Sequence, residues 1–470
     1  MKTIFRTLAA ICMIGAAVAC SKDPQIMEWV SSTMDEPWQV EAVTTGTASA
    51  GSVIDIDPSD LDQEILGFGV SFSELGWQSL GLLSQEDRTA VLDELFVPGG
   101  ANFSICRTPV GANDFSLDFY SFDETDGDFD LNDFSIDRDR TTLLPLIKEA
   151  LARNPELKIW ASPWCPPSWM KYNKHYAMRP AEVNDLPEER RGYEGQDMFI
   201  QDERYFDAYA RYFGKYVDAY KEEGVDISMV MPQNEPNSDQ NFPSCCWTAK
   251  GLTAFLRHLC PEMSQRGVDV FFGTWERPGA EAIDTVMTDP EVGKYIGGLA
   301  FQWAGRSALP VARSRYPELT LVMSEQECGD GQNDWKGACH SWELMKHYLG
   351  NGVQIYDYWN ISLIKNGLSH WAWRQNSLVV VDEESRTYEL SIEYYLLKHA
   401  SHFVQPGARR IKLDYENALA FLNPDGRIIL ITSNETEAPV DITVGIGEKS
   451  QSVTLKPMSF NTFVLGTPGC

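Results

Sequence analysis

The sequence predicts an α/β protein: a (β/α)8 TIM barrel with a second, smaller all-β sandwich domain built from both ends of the chain. Short apolar runs alternate with helical segments through the middle of the chain, which is typical of βα units. Both ends instead alternate residue by residue and are rich in Thr, Val and Ser, as strands are. At 470 residues, the chain has room for one barrel-sized domain and a small one.

Residues 1–19 are predicted to be a lipoprotein signal peptide. Lys2 and Arg6 precede the apolar segment LAAICMIGAAVA, which is too short to span a bilayer. The segment ends in AVAC, which resembles the cleavage box of bacterial lipoproteins, so we expect Cys20 to become the lipidated N-terminus. Simple secretion is the alternative. Residues 20–36 show no sustained period and are predicted to be a tether to the outer membrane or cell surface.

The sandwich domain is assigned to residues 37–62 and 400–470. The first piece contains WQVEAVTTGTASAGSVIDID, which alternates in the manner of strands. The second piece shows the same alternation, with Asp425-Gly426 as a hairpin turn and another turn near residues 445–449. We therefore expect one antiparallel β domain that joins the two ends of the chain.

The barrel is assigned to residues 63–399. Eight apolar or β-branched runs lie there, which matches the strand count of a TIM barrel. The clearest helix is RYFDAYARYFGKYVDAYKEEG, whose aromatic residues recur at spacings of three, four and seven. Such a stripe predicts a face packed on the sheet rather than a ligand site. The eight strand candidates are EILGFGVSF, ANFSICRTPVG, LKIWASPW, DISMVMPQNEP, VDVFFGTW, GLAFQWAG, LTLVMSEQE and LSHWAWRQN.

Two glutamates stand where a barrel places its chemistry, at the C-terminal ends of strands. Glu235 ends DISMVMPQNE and Glu325 ends LTLVMSE. Paired carboxylates are what glycosidic cleavage needs, because one neutral acid protonates the leaving oxygen while one ionised group faces the anomeric carbon. Glu327 is two residues beyond Glu325 and points to the same face if the strand continues. Spacing alone therefore leaves either residue as the nucleophile.

Charge and composition restrict the partners. The chain has 39 Lys and Arg against 68 Asp and Glu, a formal net charge of −29 at pH 7, so nucleic acid and anionic lipid surfaces would be repelled. The histidines do not cluster, and the segment DGQND (residues 330–334) lacks the spacing of a calcium loop, so we interpret it as loop wall. We expect a neutral carbohydrate substrate, no metal or other cofactor, and a monomer whose membrane contact is limited to its lipid anchor.

Several motifs resemble those of glycoside hydrolase family 30, whose best-known relatives are glucosylceramidases and microbial β-1,6-glucanases. The resemblance runs from about Glu64 to the C-terminus, and it implies a barrel with a β-sandwich beside it and no metal. It fits the glucose-directed branch of the family better than the xylan-directed one. The motifs, for strands one, two, three, four and seven of the barrel, are GFGVSFSE, CRTPVGANDFSLDFYSF, ASPWCPPSWMK, QNEPNS and MSEQECG.

The resemblance also implies roles for individual residues. Glu235 in QNEP matches the acid/base glutamate, and Glu325 in MSEQE matches the nucleophile, which favours it over Glu327. We further expect a pocket arginine to pair with a carboxylate and to keep the nucleophile ionised while the acid stays protonated. The matches to the pocket arginine, to the aspartate that binds sugar hydroxyls and to two further subsite residues are Arg107, Asp114, Trp164 and Asn234.

One motif departs from the family. Many relatives have a His-x-Tyr pair at the end of the sixth strand, whereas this chain has FQWAG, with Gln302 and Ala304 in those places. The tyrosine hydroxyl that would touch the nucleophile is therefore absent, and Gln302 and Trp303 are the substrate-contacting candidates here. Trp373 in HWAWRQN is expected either to stack on a sugar face or to pack in the core.

Three hypotheses for function follow from these residues. The first is an endo-β-1,6-glucanase that acts by double displacement through a covalent glycosyl-enzyme on Glu325, which requires carboxyl groups about 5 to 5.5 Å apart. The second is an exo-acting β-glucosidase of the glucosylceramidase type. The third is a non-catalytic glycan-binding lipoprotein, which the presence of both Glu235 and Glu325 disfavours, since a pure binder needs no paired acid and nucleophile.

Overall fold

The computed structural model describes residues 26–43, 51–447 and 449–466; the predicted signal peptide and Cys20 lie outside them. The strands are β1 (Ile26–Ser32), β2 (Gln39–Val40), β3 (Ser52–Asp55), β4 (Leu61–Glu64), β5 (Gly67–Ser71), β6 (Ile105–Pro109), β7 (Lys158–Ser162), β8 (Ile227–Val230), β9 (Asp269–Trp275), β10 (Ile296–Gln302), β11 (Thr320–Glu325), β12 (Ile355–Asn360), β13 (Ser362–Ile364), β14 (Val379–Asp382), β15 (Thr387–Leu390), β16 (Arg409–Ile411), β17 (Ala418–Leu422), β18 (Ile428–Asn434), β19 (Val440–Ile446), β20 (Lys449–Leu455) and β21 (Ser459–Leu465). The α-helices are α1 (Glu74–Gly81), α2 (Gln85–Phe96), α3 (Asp137–Thr141), α4 (Leu143–Arg153), α5 (Glu203–Glu222), α6 (Ala249–Ser264), α7 (Glu281–Met287), α8 (Leu309–Arg315), α9 (Trp335–Gly350) and α10 (Ile392–Ser401).

Strands β5 to β12 close into a parallel barrel in chain order, with β12 pairing back onto β5. The predicted TIM barrel with a smaller β-sandwich is therefore confirmed. Large apolar side chains fill the barrel interior beneath the mouth, as in other barrels of this type. They are Ile105, Trp160, Met229, Met231, Phe271, Ala300, Val322 and Ile355.

One of the eight strand candidates is wrong. The eighth barrel strand is β12 (Ile355–Asn360), whereas the predicted segment LSHWAWRQN forms an irregular loop in which Ala372 has φ +62°. The sequence IYDYWN of β12 is not a continuous apolar run, because Asp357 interrupts it. This aspartate is buried inside the barrel, where it accepts a hydrogen bond from Trp160 Nε1 at 2.5 Å.

The aromatic stripe on α5 belongs to the core, as predicted. The helix begins after Asp202, whose side chain accepts the Arg204 N–H and so caps the first turn. Its aromatic face packs against the barrel and the neighbouring helix α6, where Phe255 lies 4.9 Å from Tyr209 between ring centroids. The buried members of the stripe are Phe206, Tyr209, Tyr212, Phe213, Tyr216 and Tyr220.

None of the helices in the described part of the chain has the length and hydrophobicity needed to span a membrane.

The sandwich consists of a seven-stranded sheet, in the order β2-β1-β21-β18-β17-β16-β4, and a three-stranded sheet, β20-β19-β3. The two predicted hairpins are present, as β17-β18 around Gly426 and β19-β20. Both chain ends contribute strands. Helix α10 packs against β1 and β21, and its buried His399 contacts Thr462 at 2.8 Å and Ser32 at 3.0 Å. The predicted domain boundary at residue 399 therefore falls inside a helix.

The predicted tether at residues 20–36 is wrong for its second half. Ile26–Ser32 is strand β1, which pairs with β21 on one side and β2 on the other. Trp29 is buried in the sandwich core, while Val30 is buried in the core shared with the barrel. A strand buried on both faces has no alternation of polar and apolar residues, which is why the segment had no strand period.

Candidate active site

A pocket opens at the C-terminal ends of the barrel strands and includes both Glu235 and Glu325. Its volume is about 290 Å³, close to the lower bound of about 300 Å³ for ligand pockets. Loops that follow the strands supply its walls. The predicted substrate-binding residues among its lining are Asp114, Trp164, Asn234, Trp303 and Trp373.

Glu235 is held by the strands on either side of β8. The preceding Asn234 donates its N–H to the Pro163 carbonyl beyond β7 at 2.7 Å, and Glu235 donates its own N–H to the Thr274 hydroxyl in β9 at 3.1 Å. Glu235 has φ +46°, in the left-handed region that non-glycine residues seldom adopt. Trp303, which also lines the pocket, has φ +47°. Strained backbone of this kind tends to occur where a side chain must be aimed at a site.

Arg107 is the centre of the hydrogen-bond network beneath the pocket. The side chain is fully buried, and its Nη1 forms an ion pair with Glu325 Oε2 at 2.9 Å and donates to the Ser324 carbonyl at 3.1 Å. Its Nη2 donates to Asn234 Oδ1 at 2.7 Å and to the Ser162 hydroxyl at 2.8 Å. One guanidinium thus connects the ends of β7, β8 and β11, which fixes the nucleophile candidate relative to Asn234.

Three tryptophans surround the same guanidinium. The Arg107 Cζ lies 4.2 Å from the ring centroid of Trp164, 4.9 Å from that of Trp160 and 5.3 Å from that of Trp359. Trp164 stacks on Trp359 at 5.0 Å and is almost fully buried, yet it reaches the pocket wall. Aromatic faces attract a cation and exclude water, so they stabilise the buried charge that Glu325 pairs with.

Two side chains of the FQWAG segment, Gln302 and Trp303, form hydrogen bonds with the two glutamate carboxyl groups. Gln302 Nε2 donates to Glu235 Oε1 at 3.1 Å, and its Oε1 accepts the Ser324 hydroxyl at 2.9 Å, which fixes the amide orientation. Trp303 Nε1 donates to Glu325 Oε1 at 3.3 Å. An indole N–H therefore takes the place near the nucleophile for which the family comparison suggested a tyrosine hydroxyl.

The two carboxyl groups differ in their charge environment. Burial raises the pKa of Glu235 well above its usual range, and the nearby charges of Glu325 and Glu276 raise it further; the Gln302 hydrogen bond acts in the opposite sense. Burial also raises the pKa of Glu325, but the Arg107 guanidinium and the Trp303 and Gln302 hydrogen bonds counter it. The carboxyl group with a cation beside it is the one that ionises first, so Glu325 is suited to be the nucleophile and Glu235 the acid.

Asp114 and Trp373 line the same pocket but differ in exposure. Asp114 is buried, and burial together with the charge of Glu325 raises its pKa well above the usual range. Its Oδ1 has no hydrogen-bond partner within the described part of the chain. Trp373 is 41% exposed and lines the pocket. It therefore does not pack in the core, which was one of the two positions expected for it. The neighbouring Trp371 is the one that is buried.

Glu327 lies outside the pocket. It forms an ion pair with Arg306, and its Oε2 lies 3.0 Å from His340 Nε2. Strand β11 ends at Glu325, so the alternation that would have placed both glutamates on one face does not continue. The structure therefore agrees with Glu325 as the residue that reaches the pocket.

The DGQND segment is a loop that leads into α9. Its last residue, Asp334, accepts the Gly337 N–H at 2.8 Å and caps the N-terminus of α9. Over residues 26–43, 51–447 and 449–466, no three His, Cys, Asp or Glu side chains are placed to hold a metal ion together.

Sequence reasoning missed Glu276. It directly follows β9 and lines the pocket. Burial raises its pKa to about 7. The signal was present, because a glutamate directly follows the apolar run VDVFFGTW, just as Glu235 and Glu325 stand at the ends of their runs.

Relatives of known function bear on the reaction. The chain is 26% identical over 465 residues to the mouse lysosomal acid glucosylceramidase, which spans 90% of this chain and 85% of the mouse protein. It is also 26% identical over 383 residues to an endo-1,6-β-D-glucanase of Neurospora crassa, which spans 77% of this chain and 76% of the fungal protein. The names of these two relatives denote different substrates, and the chain is equally identical to both, so sequence identity does not favour either substrate.

Solved structures give the same architecture. The crystal structure of SrfJ from Salmonella typhimurium superposes with a TM-score of 0.83 at 23% identity, covering 94% of this chain and 99% of that one. The endo-β1,6-glucanase BT3312 superposes with a TM-score of 0.79 at 25% identity, covering the same shares. The family model for the glycosyl hydrolase family 30 TIM-barrel domain matches residues 65–404, and the model for the β-sandwich domain of that family matches residues 407–463. With its paired carboxylates at the barrel mouth, the chain therefore belongs to glycosyl hydrolase family 30 and is a glycosidase.

Proposed function

We propose that the protein is a retaining β-glycosidase that cleaves β-linked glucose-containing glycans, and that it is an endo-β-1,6-glucanase. The observation that carries the mechanism is the asymmetry of the two carboxyl groups: Glu325 is paired with Arg107 at 2.9 Å, whereas the side-chain hydrogen bond to Glu235 comes from the neutral Gln302. A binder without catalysis has no use for that asymmetry.

In the proposed reaction, Glu235 gives its proton to the glycosidic oxygen while the Glu325 carboxylate attacks the anomeric carbon. The leaving alcohol departs, and the sugar remains as an ester on Glu325. Glu235, now ionised, then removes a proton from a water molecule that hydrolyses this ester, so the anomeric configuration is retained.

Asn234 is arranged to assist both steps. Its Oδ1 accepts hydrogen bonds from Arg107 at 2.7 Å, Thr274 at 3.0 Å and Gln302 at 3.3 Å. Three donors on one oxygen fix the orientation of the amide, so Nδ2 is the group left to donate. We assign it to the 2-hydroxyl of the sugar bound at Glu325, a contact that strengthens in the transition state.

The glucan substrate is supported by the similarity to two endo-β-1,6-glucanases, one by sequence and one by structure, each spanning at least three quarters of both chains. An exo-acting β-glucosidase of the glucosylceramidase type is the second candidate, because the mouse glucosylceramidase is equally similar in sequence.

Product analysis on β-1,6-glucan, β-1,3-glucan, glucosylceramide, glucuronoxylan and aryl β-glucosides tests the proposal. We expect a ladder of short oligomers from β-1,6-glucan, with the β-anomer formed first by NMR, and no products with Glu325→Gln. Release of glucose only from glucosylceramide or from aryl glucosides would indicate an exo-acting β-glucosidase. Formation of α-anomers as the first products would contradict double displacement.

We also propose that the chain is exported and lipidated at Cys20, as AVAC suggests. Labelling with a radioactive fatty acid in a bacterial host is expected to mark the wild type and not Cys20→Ser. Equal labelling of both would contradict the anchor.

A further inference from the structure

The pocket has a charged wall beside Glu235 that the proposed reaction has not used. In barrel order, β8 leads to Glu235 and the next strand, β9, leads directly to Glu276 and Arg277. Both side chains line the pocket, together with Ser238 and Gln240 from the loop after Glu235.

Glu276 is buried with an unfilled hydrogen-bonding position. The residue is 3% exposed, and its Oε1 accepts the Asn237 N–H at 2.8 Å and the Ser238 hydroxyl at 3.3 Å. Its Oε2 has no hydrogen-bond partner within the described residues. A buried carboxyl oxygen is costly to leave unpaired, so a donor from a bound ligand would be favourable at this position.

Arg277 completes the wall with donors. Its Nη2 donates to the Asn237 carbonyl at 2.5 Å and to Glu194 Oε1 at 2.5 Å. Its Nε lies 3.4 Å from Glu276 Oε1 and has no hydrogen-bond partner in the part of the chain that the structure describes. About a third of the side chain is exposed. The wall therefore presents an acceptor and donors to the same part of the pocket.

The position of this wall relative to the acid decides what binds there. Arg107, Asp114 and Trp164 come from β6 and β7 or from the residues that follow them, on one side of β8, whereas Glu276 and Arg277 follow β9 on the other side. The proton of an acid/base glutamate goes to the oxygen of the bond that breaks. With the retained sugar on the Arg107 side, the group that leaves lies against the β9 side.

We propose that Glu276 and Arg277 recognise hydroxyl groups of the leaving group, so that the pocket selects a sugar rather than a lipid on that side. The inference rests on the proposed function and narrows its substrate class. Sugar hydroxyls both donate and accept, and can pair with both side chains. An alkyl chain can pair with neither, and each buried group left unpaired costs about 1 to 3 kcal/mol.

Three substrates test this inference, because each contains a β-glucosyl unit and they differ in the group that leaves: β-1,6-linked glucose oligomers, an aryl β-glucoside and an octyl β-glucoside. The variant is Glu276→Gln, which keeps the size of the side chain and an oxygen for the Asn237 N–H. Each enzyme is assayed at its own pH optimum. We expect kcat/KM for the oligomers to fall about 10-fold to 100-fold, as for loss of a charged hydrogen bond. The aryl and octyl glucosides should change less than about 3-fold.

Three results would overturn the inference. An equal fall on all substrates would mean that Glu276 only holds the Asn237–Ser238 backbone in place, and no fall on the oligomers would mean that it does not meet the leaving group. A wild type that hydrolyses the octyl glucoside with higher kcat/KM than the oligomers would show lipid selectivity. A wild type that leaves every glucoside intact would instead contradict the proposed function itself, and with it this inference.

A second measurement needs only the wild type, so it does not depend on the variant folding. The glycosyl-enzyme can be intercepted by an acceptor: its hydroxyl oxygen attacks the anomeric carbon, its proton passes to Glu235, and the ester bond to Glu325 breaks. With an aryl β-glucoside as donor, we expect transfer to glucose and not to hexanol at equal concentration. Preferred transfer to hexanol would contradict a sugar-binding wall.

Discussion

Glu325 and Glu327 stand two residues apart in the segment MSEQE, yet they meet opposite surroundings. Glu325 ends β11 and points into the barrel mouth, where it forms an ion pair with the fully buried Arg107. Glu327 points outward to Arg306 and to His340, both partly exposed. Burial raises the pKa of Glu325, whereas for Glu327 the His340 hydrogen bond and the charge of Arg306 outweigh burial and lower it. Position at the strand end, rather than residue type, decides which carboxylate can do chemistry.

The largest expected effect comes from Glu325→Gln. Without a nucleophile no glycosyl-enzyme forms, so we expect kcat to fall on the order of 10⁴-fold or more on every substrate. Rates on an aryl β-glucoside, followed by absorbance, measure this. A loss below about 100-fold would indicate that another carboxylate takes the role.

Glu235→Gln should be the next most damaging change, with an effect that depends on the leaving group. Loss of a general acid costs about 10²-fold to 10⁴-fold when the leaving alcohol needs a proton. A dinitrophenolate leaves without one, so its release should be much less affected in the first step. Comparison of dinitrophenyl glucoside with glucan measures the difference, and equal losses on both would contradict the acid role.

Arg107→Lys tests the buried side of the comparison. Lysine is a point charge and cannot reach Glu325, Asn234 and Ser162 together, so buried acceptors lose their donors. We expect the free energy of unfolding to fall by about 3 kcal/mol, as for a broken buried ion pair. The control is Arg306→Lys at the outer pair, which should change stability by less than about 1 kcal/mol. Similar losses from both variants in thermal unfolding would show that burial does not distinguish the two pairs.

A smaller effect is expected in the pH profile. The alkaline limb of kcat/KM reports deprotonation of Glu235. The charged groups that act on it are Glu325, Glu276 and Asp114, all of which raise its pKa. Glu276 titrates at about 7, so above that pH its charge keeps Glu235 protonated. Glu276→Gln removes this charge, lowers the Glu235 pKa and should move the alkaline limb to lower pH. A limb that stays in place or moves upward would contradict the coupling.

Glu327→Gln should have the smallest effect. The carboxylate lies outside the pocket, and partly exposed ion pairs contribute about 0 to 1 kcal/mol. We expect kcat/KM within about 3-fold of wild type, which also makes it the matched control for Glu325→Gln. A loss of kcat/KM comparable with that of Glu325→Gln would mean that Glu327 is still a candidate for the nucleophile.

The features that could be predicted are those that depend on residues close together in the sequence. Apolar strands that end in a carboxylate indicated the barrel and the positions of Glu235 and Glu325. The partners of Arg107 were beyond such reasoning, because Ser162, Asn234 and Glu325 lie 55, 127 and 218 residues further along the chain. Only closure of the barrel brings them together.

The two strands that were not predicted, β12 and β1, lack the alternation of exposed and buried residues that identifies a strand in a sequence. Strand β12 carries Asp357 inside the barrel, where its Oδ2 accepts a hydrogen bond from Trp160, so a polar residue occupies a core position. From Trp29 to Ser32, strand β1 is buried on both faces and has no exposed face with which to alternate. Polar and apolar residues alternate where one face of a strand is exposed and the other is buried. Neither β12 nor this part of β1 has that difference between its faces.

Strand β1 has a practical consequence for recombinant production. A shortened chain that starts at Pro37, where the predicted tether would end, lacks the strand that covers β21. The seven-stranded sheet would then present β21 as an open edge, with unpaired N–H and C=O groups next to Phe463 and Leu465. Uncovered edges of this kind pair with other chains, so we expect the shortened protein to aggregate, whereas a chain that starts before Ile26 should remain monodisperse.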